Sequence, residues 1–242
     1  MPRSLAARCA LPLACVGLLA FASAAGGEDA PERVLDPDSP TAKALGELLA
    51  VDPRYARDGT VDLDYRFRRP EELADFAYEG FDDVDRGRKG KRRKKRAGKG
   101  RTLHLIAGSQ RQGLCLHRLP LKGSYEVEVT ARVRRMSTRA TLVFVCGKAG
   151  VRWGSQLVRR SGGGWKPIAG EPSRKAFEGH AQQTFRIRVR GPEVVVFHQG
   201  REVVRSDALD GKTSGRVGFF LQDVDLLVER LKIRGTVDPK GL

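Results

Sequence analysis

The chain has 242 residues, of which 45 are Lys or Arg and 29 are Asp or Glu, so its formal net charge is +16. Its 40% of hydrophobic residues are enough for one sizeable core. Only two of its four cysteines lie beyond residue 24, which is too few for a disulfide-based scaffold. The sequence contains no asparagine, which excludes N-glycosylation.

The N-terminus has the pattern of a secretory signal. Arg3 and Arg8 precede an apolar run from Ala10 to Phe21, and the small residues 22–24 follow it. The run is too short to cross about 30 Å of hydrocarbon, and no second apolar segment follows. We therefore predict a signal peptide over residues 1–24, cleaved near Ala24, and export to the periplasm, the cell surface or the medium. A lipoprotein signal through Cys15 is an alternative that Pro12 disfavours.

Residues 25–60 form a leader with one short helix. Its first part is rich in Gly, Glu, Asp and Pro, which favours a flexible segment. Apolar residues at helical spacing then predict an amphipathic helix over Thr41–Val51, ended by Asp52 and Pro53. From Val61 to Phe67 apolar residues alternate with charged ones, which predicts the first strand.

The stretch from Arg86 to Arg101 contains eleven basic residues and no acidic one. Charge repulsion and the lack of apolar residues predict a disordered or extended insertion. It accounts for most of the formal charge, since +16 minus 11 leaves +5. One hypothesis is that it binds an acidic envelope polymer, and the alternative is a solvated insertion without a partner. Nucleic acid is disfavoured because no aromatic residue is interleaved for base stacking. The candidate polyanion-binding residues are Lys89, Lys91, Arg92, Arg93, Lys94, Lys95 and Arg96.

Alternating apolar and polar residues predict strands over most of the remaining chain. The segments are 102–107, 113–119, 124–133, 140–146 and a meander from Thr184 to Gly235. Within the meander, Gln199 and Gly200 predict a tight hairpin turn. Residues 226–233, LLVERLKI, are good helix formers, and only their place in the meander favours a strand.

The segment from Gly215 to Phe219, GRVGF, and the glycine hairpin before it resemble the C-terminal half of concanavalin A-like jelly rolls. More narrowly, they are similar to secreted bacterial 3-keto-disaccharide hydrolase-type domains, relatives of family-16-like glycoside hydrolases. The resemblance implies an all-β, concanavalin A-like antiparallel β-sandwich (jelly roll) over residues 61–235, with a short N-terminal helix before it and a tail over 236–242. Such folds carry many functions, so function depends on individual sites.

Sugar binding is the first functional hypothesis. Trp153 and Trp165 lie near Arg152 and Gln156, and an exposed aromatic ring beside hydrogen-bond donors is what a pyranose requires. The alternative is that both tryptophans fill the core. The sequence thus predicts a non-enzymatic carbohydrate- or surface-binding module, with a structural envelope protein as a further alternative.

A glycoside hydrolase or 3-keto-glycoside lyase is the enzymatic alternative. Glycoside hydrolysis needs two carboxyl groups about 5–10 Å apart. Glu126 and Glu128 have strand spacing, but they alternate with Val127 and Val129 and so are predicted to face solvent. The family's mid-domain turn and strand motifs are missing from residues 144–160, and no catalytic residue is assigned.

No metal or cofactor is predicted. Cys115, His117, His104 and Cys146 do not have the spacing of a known zinc module, and the acidic turn at residues 82–85 is too short for a calcium loop. Cys115 and Cys146 each lie in an apolar run, so a disulfide and two buried thiols both remain open.

Overall fold

The structure is a computed structural model that describes residues 39–55, 60–85, 102–209 and 213–238. The helices are α1 (Pro40–Leu48) and two short 3-10 helices (Pro70–Asp75, Arg174–His180). The strands are β1 (Arg54–Tyr55), β2 (Val61–Tyr65), β3 (Phe76–Glu79), β4 (Asp83–Asp85), β5 (Leu103–Cys146), β6 (Ala149–Arg152), β7 (Gln156–Ser161), β8 (Gly164–Ala169), β9 (Gln183–Arg190), β10 (Glu193–His198), β11 (Arg201–Ser206) and β12 (Gly215–Val237). Among the described residues, no helix is long and apolar enough to span a bilayer.

Strand β12 folds over and contributes to two layers. Leu121 pairs with both Gly215 and Val237, which lie at opposite ends of β12. A straight strand of this length would hold those ends about 70 Å apart, at roughly 3.3 Å per residue. The chain therefore reverses within β12, near Asp223, whose φ is +54°. Residues 215–222 lie in one layer, here called sheet I, and residues 224–237 in the other, sheet II.

Strand β5 also passes between sheet I and sheet II, and it does so more than once. Residues 103–107 and 125–136 pair with the sheet II part of β12, whereas residues 113–121 and 141–146 pair with its sheet I part. In each segment the partner number falls as the β12 number rises, which is antiparallel pairing. Long strands that pass from one layer to the other are the way a sandwich makes its corners.

The two sheets follow from these registers. Sheet I has the order β3, residues 113–121, residues 215–222, residues 141–146, β6, β7 and β8. Sheet II has residues 224–237 at its centre, with residues 125–136, β9, β10 and β11 on one side. On the other side lie β2 with β1, and residues 103–107 with β4.

The main core lies between the two sheets. Alternate residues of each strand point inward, as a half-buried strand requires; in β9, for example, Phe185, Ile187 and Val189 are buried. Within this core the inward Phe144 ring contacts the inward rings of both Phe185 and Phe219. The predicted all-β jelly-roll fold with a short N-terminal helix is confirmed.

Helix α1 is fastened to the sandwich by a buried polar chain. Asp75 accepts hydrogen bonds from the backbone N–H groups of Ala50 and Val51, which follow the helix, and from the Tyr65 hydroxyl at 2.8 Å. The Tyr65 oxygen lies 2.7 Å from His117 Nε2, and His117 Nδ1 accepts from the Leu119 backbone N–H. Since Nδ1 is an acceptor, the neutral ring carries its proton on Nε2 and donates it to Tyr65.

The outer face of sheet II carries charges that alternate from strand to strand. The acidic positions are Asp62 and Asp64 on β2 and Glu126 and Glu128 on β5; the basic positions are Arg234 and Lys232 on β12 and Arg188 and Arg186 on β9. Lys232 contacts Glu128 at 3.0 Å, and Arg188 contacts Glu126 at 2.9 Å. The predicted solvent exposure of the two glutamates is confirmed: both are partly exposed and ion-paired. These ion pairs join neighbouring strands and neutralise part of the charge on this face.

The alternation yields a test of strand order. Glu128→Lys places three cations side by side, because position 128 lies between Lys232 and Arg186. We expect the free energy of unfolding to fall by about 1 kcal/mol. The double variant E128K/K232E restores one opposite-charge contact and should recover part of that loss in urea unfolding. If Glu128→Lys is as stable as the parent, position 128 does not lie between Lys232 and Arg186 and this strand order is wrong.

Candidate functional site

A second apolar cluster lies on the outer face of sheet I. Val143 and Val145 alternate with the inward residues 142, 144 and 146, so they point away from the main core. With Val158 and Phe220 they form a separate buried group, against which Leu114, Leu116 and Trp165 pack while partly exposed. We call these seven residues the outer cluster. A solvated sheet face normally carries polar residues, as that of sheet II does, so this face is the unusual surface of the sandwich.

The Trp165 side chain extends across this face. Trp165 belongs to β8, and its ring reaches back across β7, so that a Cβ placed on Gly150 of β6 would lie 3.4 Å from its Cζ3 atom. The ring then meets Phe220 edge to face, with 5.8 Å between the ring centroids. The ring thus packs against the sheet while the side chain stays partly exposed.

Arg152 is fixed beside Trp165. Its guanidinium donates to the Trp165 carbonyl at 2.7 Å and to Gln156 Oε1 at 3.4 Å. Gln156 is only 6% exposed and also donates to the Gly170 carbonyl, so it orients Arg152 and offers little surface of its own. Arg152 Nε is buried without a hydrogen-bond partner. Burial lowers the pKa of this guanidinium.

Trp153 lies on the opposite face of the sheet. It is 3% exposed and packs in the main core against Phe177, with 5.4 Å between ring centroids. Consecutive strand residues point to opposite faces, so Arg152 points outward and Trp153 inward. The structure therefore brings together Trp165, Arg152 and Gln156 of the predicted sugar site, whereas Trp153 occupies the core position that the alternative interpretation gave it.

The cysteines are free, buried thiols. Cys146 pairs with Val217 and Cys115 with Phe219, so a strand of β12 separates them. Two strand spacings of about 4.8 Å place their Cα atoms beyond the roughly 7 Å that a disulfide tolerates. The disulfide alternative for Cys115 and Cys146 does not fit this register, and burial raises the pKa of both thiols.

The remaining candidates are dispersed. His117 is in the core, whereas His104 contacts Asp225 at 2.6 Å on the other sheet, so the Cys–His set does not converge. Asp82 accepts from the Gly108 backbone and pairs with Arg111 at 3.4 Å. In the described part of the chain, no group of three or more metal-binding side chains occurs. The signal peptide and the basic residues from Lys89 to Arg96 lie outside the described residues.

The sequence contained one signal for the outer cluster that alternation alone missed. Residues 142–146 read LVFVC, an unbroken apolar run, and such a run is typical of a strand covered on both faces. Phe220 gives a similar signal beside Phe219. The partners of these residues come from β7 and β8, which no short-range pattern identifies.

Comparison of the sequence with protein-family models finds no match, and no curated protein matches it. Solved structures do match. A Bacillus subtilis protein of unknown function with a galectin-like fold has a TM-score of 0.53 at 9% identity, covering 72% of this chain and 96% of its own.

Two further structures are less similar. The GH43 protein BlXynB (K247S mutant) from Bacillus licheniformis has a TM-score of 0.48 at 9% identity, over 71% of this chain and 39% of that protein. The carbohydrate binding module CBM66 from Bacillus subtilis has a TM-score of 0.41 at 11% identity, over 55% of this chain and 83% of its own. At these identities the likeness concerns the fold alone, a galectin-like jelly roll of concanavalin A-like type.

Proposed function

We propose that this chain is a carbohydrate-binding module and that the outer face of sheet I is its binding surface. The observation that carries the proposal is the position of Trp165, whose ring packs against the outer face of the sheet and remains partly exposed, while its backbone carbonyl accepts from the Arg152 guanidinium. A supported aromatic ring offers an apolar surface to the C–H groups of a pyranose, and guanidinium N–H groups bond its hydroxyls.

The contrast between the two sheets supports this choice of surface. Several charges on the outer face of sheet II are joined in ion pairs between neighbouring strands. The outer face of sheet I instead combines apolar side chains with Arg152, which is partly exposed and has no ion-pair partner among the described residues. A cation partly withdrawn from water without a counterion costs free energy, so a ligand that supplies an acceptor is favoured there.

The proposal is tested by measuring the binding of a panel of neutral and acidic oligosaccharides to the full chain. Trp165→Ala is expected to weaken every oligosaccharide bound by the parent at least about tenfold, since ring stacking supplies much of the contact area. Phe197→Ala is the matched control, because Phe197 is a partly exposed ring on sheet II, stacked with Arg186 at 4.4 Å. Binding that survives Trp165→Ala, or fails equally in Phe197→Ala, would reject the site.

The enzymatic alternative, including the 3-keto-disaccharide hydrolase subtype, stays a prediction from the resemblance. Among the described outward residues of sheet I, Glu79 at the β3 edge is the only carboxylate. A paired-carboxylate mechanism would therefore have to draw on residues elsewhere. Non-enzymatic binding is the function that the residues around Trp165 support.

A further inference from the structure

The outer face of sheet I carries more positive charge than its one carboxylate can neutralise. Its outward positions include four arginines and one carboxylate, Glu79. None of the four arginines forms an ion pair with a described residue. They are Arg118 and Arg216 on the central strands, Arg152 on β6 and Arg160 on β7.

Two of these arginines lie next to Trp165. Arg152 is hydrogen-bonded to the Trp165 carbonyl, and Arg160 is the cross-strand partner of Trp165 in the β7–β8 pairing. Arg160 is exposed, whereas Arg152 is partly buried with its Nε donor unpartnered. A cation withdrawn from water without a counterion is costly, and a bound anion would offset that cost.

Sheet II shows that this chain pairs its surface charges elsewhere. There each basic strand lies next to an acidic one, and Arg188 on β9 and Arg230 and Lys232 on β12 have carboxylate partners across the sheet. On the face that carries Trp165, by contrast, none of the four arginines has such a partner among the described residues. A planar guanidinium matches a carboxylate or a sulfate oxygen pair particularly well.

We propose that the sugar unit bound at this face is acidic, its carboxylate or sulfate ester held between Arg152 and Arg160 while its ring rests on Trp165. This inference builds on the proposed carbohydrate-binding function and specifies the ligand class. A single-stranded nucleic acid fits less well, because Trp165 is the one partly exposed aromatic ring of the outer cluster and base stacking uses successive rings.

The first test needs no variant. Binding of oligogalacturonate to the full chain is compared with binding of the same oligomer after methyl esterification, which removes the charge and keeps the ring. We expect at least about tenfold weaker binding of the ester, with the difference shrinking as salt rises. A heparin-derived oligosaccharide tests the sulfate alternative, and a single-stranded oligonucleotide tests nucleic acid. Equal affinity for the acid and its ester, together with no preference for the sulfated oligosaccharide over a neutral one, overturns the proposal, as does preferred binding of the oligonucleotide.

The second test locates the charge. Arg160→Gln removes an exposed guanidinium, so folding is retained, and it should weaken the acidic oligomer five- to tenfold while changing a neutral one less than twofold. Arg190→Gln on β9, an exposed arginine of sheet II, is the matched control with the same change in net charge and should leave both unchanged. Deletion of residues 86–101 in the same background separates this face from the basic run. Equal losses in R160Q and R190Q, or a loss only on deletion of residues 86–101, refute the site.

The carbohydrate-binding function and the acidic ligand class can be refuted separately. If no oligosaccharide binds in a Trp165-dependent way, the carbohydrate-binding function itself is refuted. If a neutral oligosaccharide binds through Trp165 and the acidic one binds no better, the function stands and only the acidic ligand class is refuted.

Discussion

Gly218→Ala is expected to lower the free energy of unfolding by about 3 kcal/mol or more. Gly218 pairs with Leu116 on one side and Val145 on the other, at the centre of sheet I. A Cβ at this position would overlap the backbone carbonyl oxygen of Cys115. A backbone atom cannot rotate away as a side chain does, so the alanine would push apart the strands that carry the outer cluster.

Gly46→Ala is the matched control for that prediction. Gly46 lies within α1, and nothing lies within 4 Å of an added Cβ. Alanine there should leave stability unchanged or raise it by up to about 1 kcal/mol, because it restricts the unfolded chain and favours helix. Denaturant unfolding of the two variants measures the contrast. A Gly218→Ala protein as stable as the parent would show that residues 113–121 do not approach β12 this closely.

The second large effect concerns pH. His117 is fully buried, and burial lowers its pKa to about 3. In the unfolded chain the ring titrates near its ordinary value of about 6.5, so between these values the unfolded state binds one more proton than the folded state. Stability is therefore intact above about pH 6.5 and is lost as pH falls towards 3. From pH 7 to pH 5 this one residue should account for a loss of about 2 kcal/mol.

His117→Gln should remove that dependence. The variant will be less stable at pH 7, because the hydrogen bonds to Tyr65 and Leu119 are perturbed, yet its stability should fall by about 2 kcal/mol less than the parent's between pH 7 and pH 5. Limiting the range to pH 5 and above keeps most of the carboxyl titration out of the comparison. Identical slopes in H117Q and the parent would be incompatible with a buried neutral imidazole.

Much of the fold followed from local patterns. The alternation in residues 61–67 and 184–190 reported which side chains face the core, and the Gln199-Gly200 pair specified a hairpin, where the structure has φ of +50° and +80°. In contrast, the local pattern of residues 226–233, LLVERLKI, does not specify a strand, because these residues are good helix formers and none of them breaks a helix. The segment is a strand because residues 127–133 on one side, and residues 103–105 with β2 on the other, supply its backbone hydrogen bonds. Tertiary pairing overrode its helix propensity.

The candidate site also depends partly on local sequence and partly on tertiary pairing. By itself the sequence predicted an all-β sandwich with a helix before it and singled out Trp165, Arg152 and Gln156 as candidate site residues, but it did not predict the strands β6, β7 and β8 that carry them. Only the tertiary structure decided that Trp153 is core and Trp165 surface, because the choice depends on which face of sheet I is covered by sheet II. The unpaired arginines, too, became visible only when strands distant in sequence were placed side by side, since charge balance is a property of a surface and not of a segment.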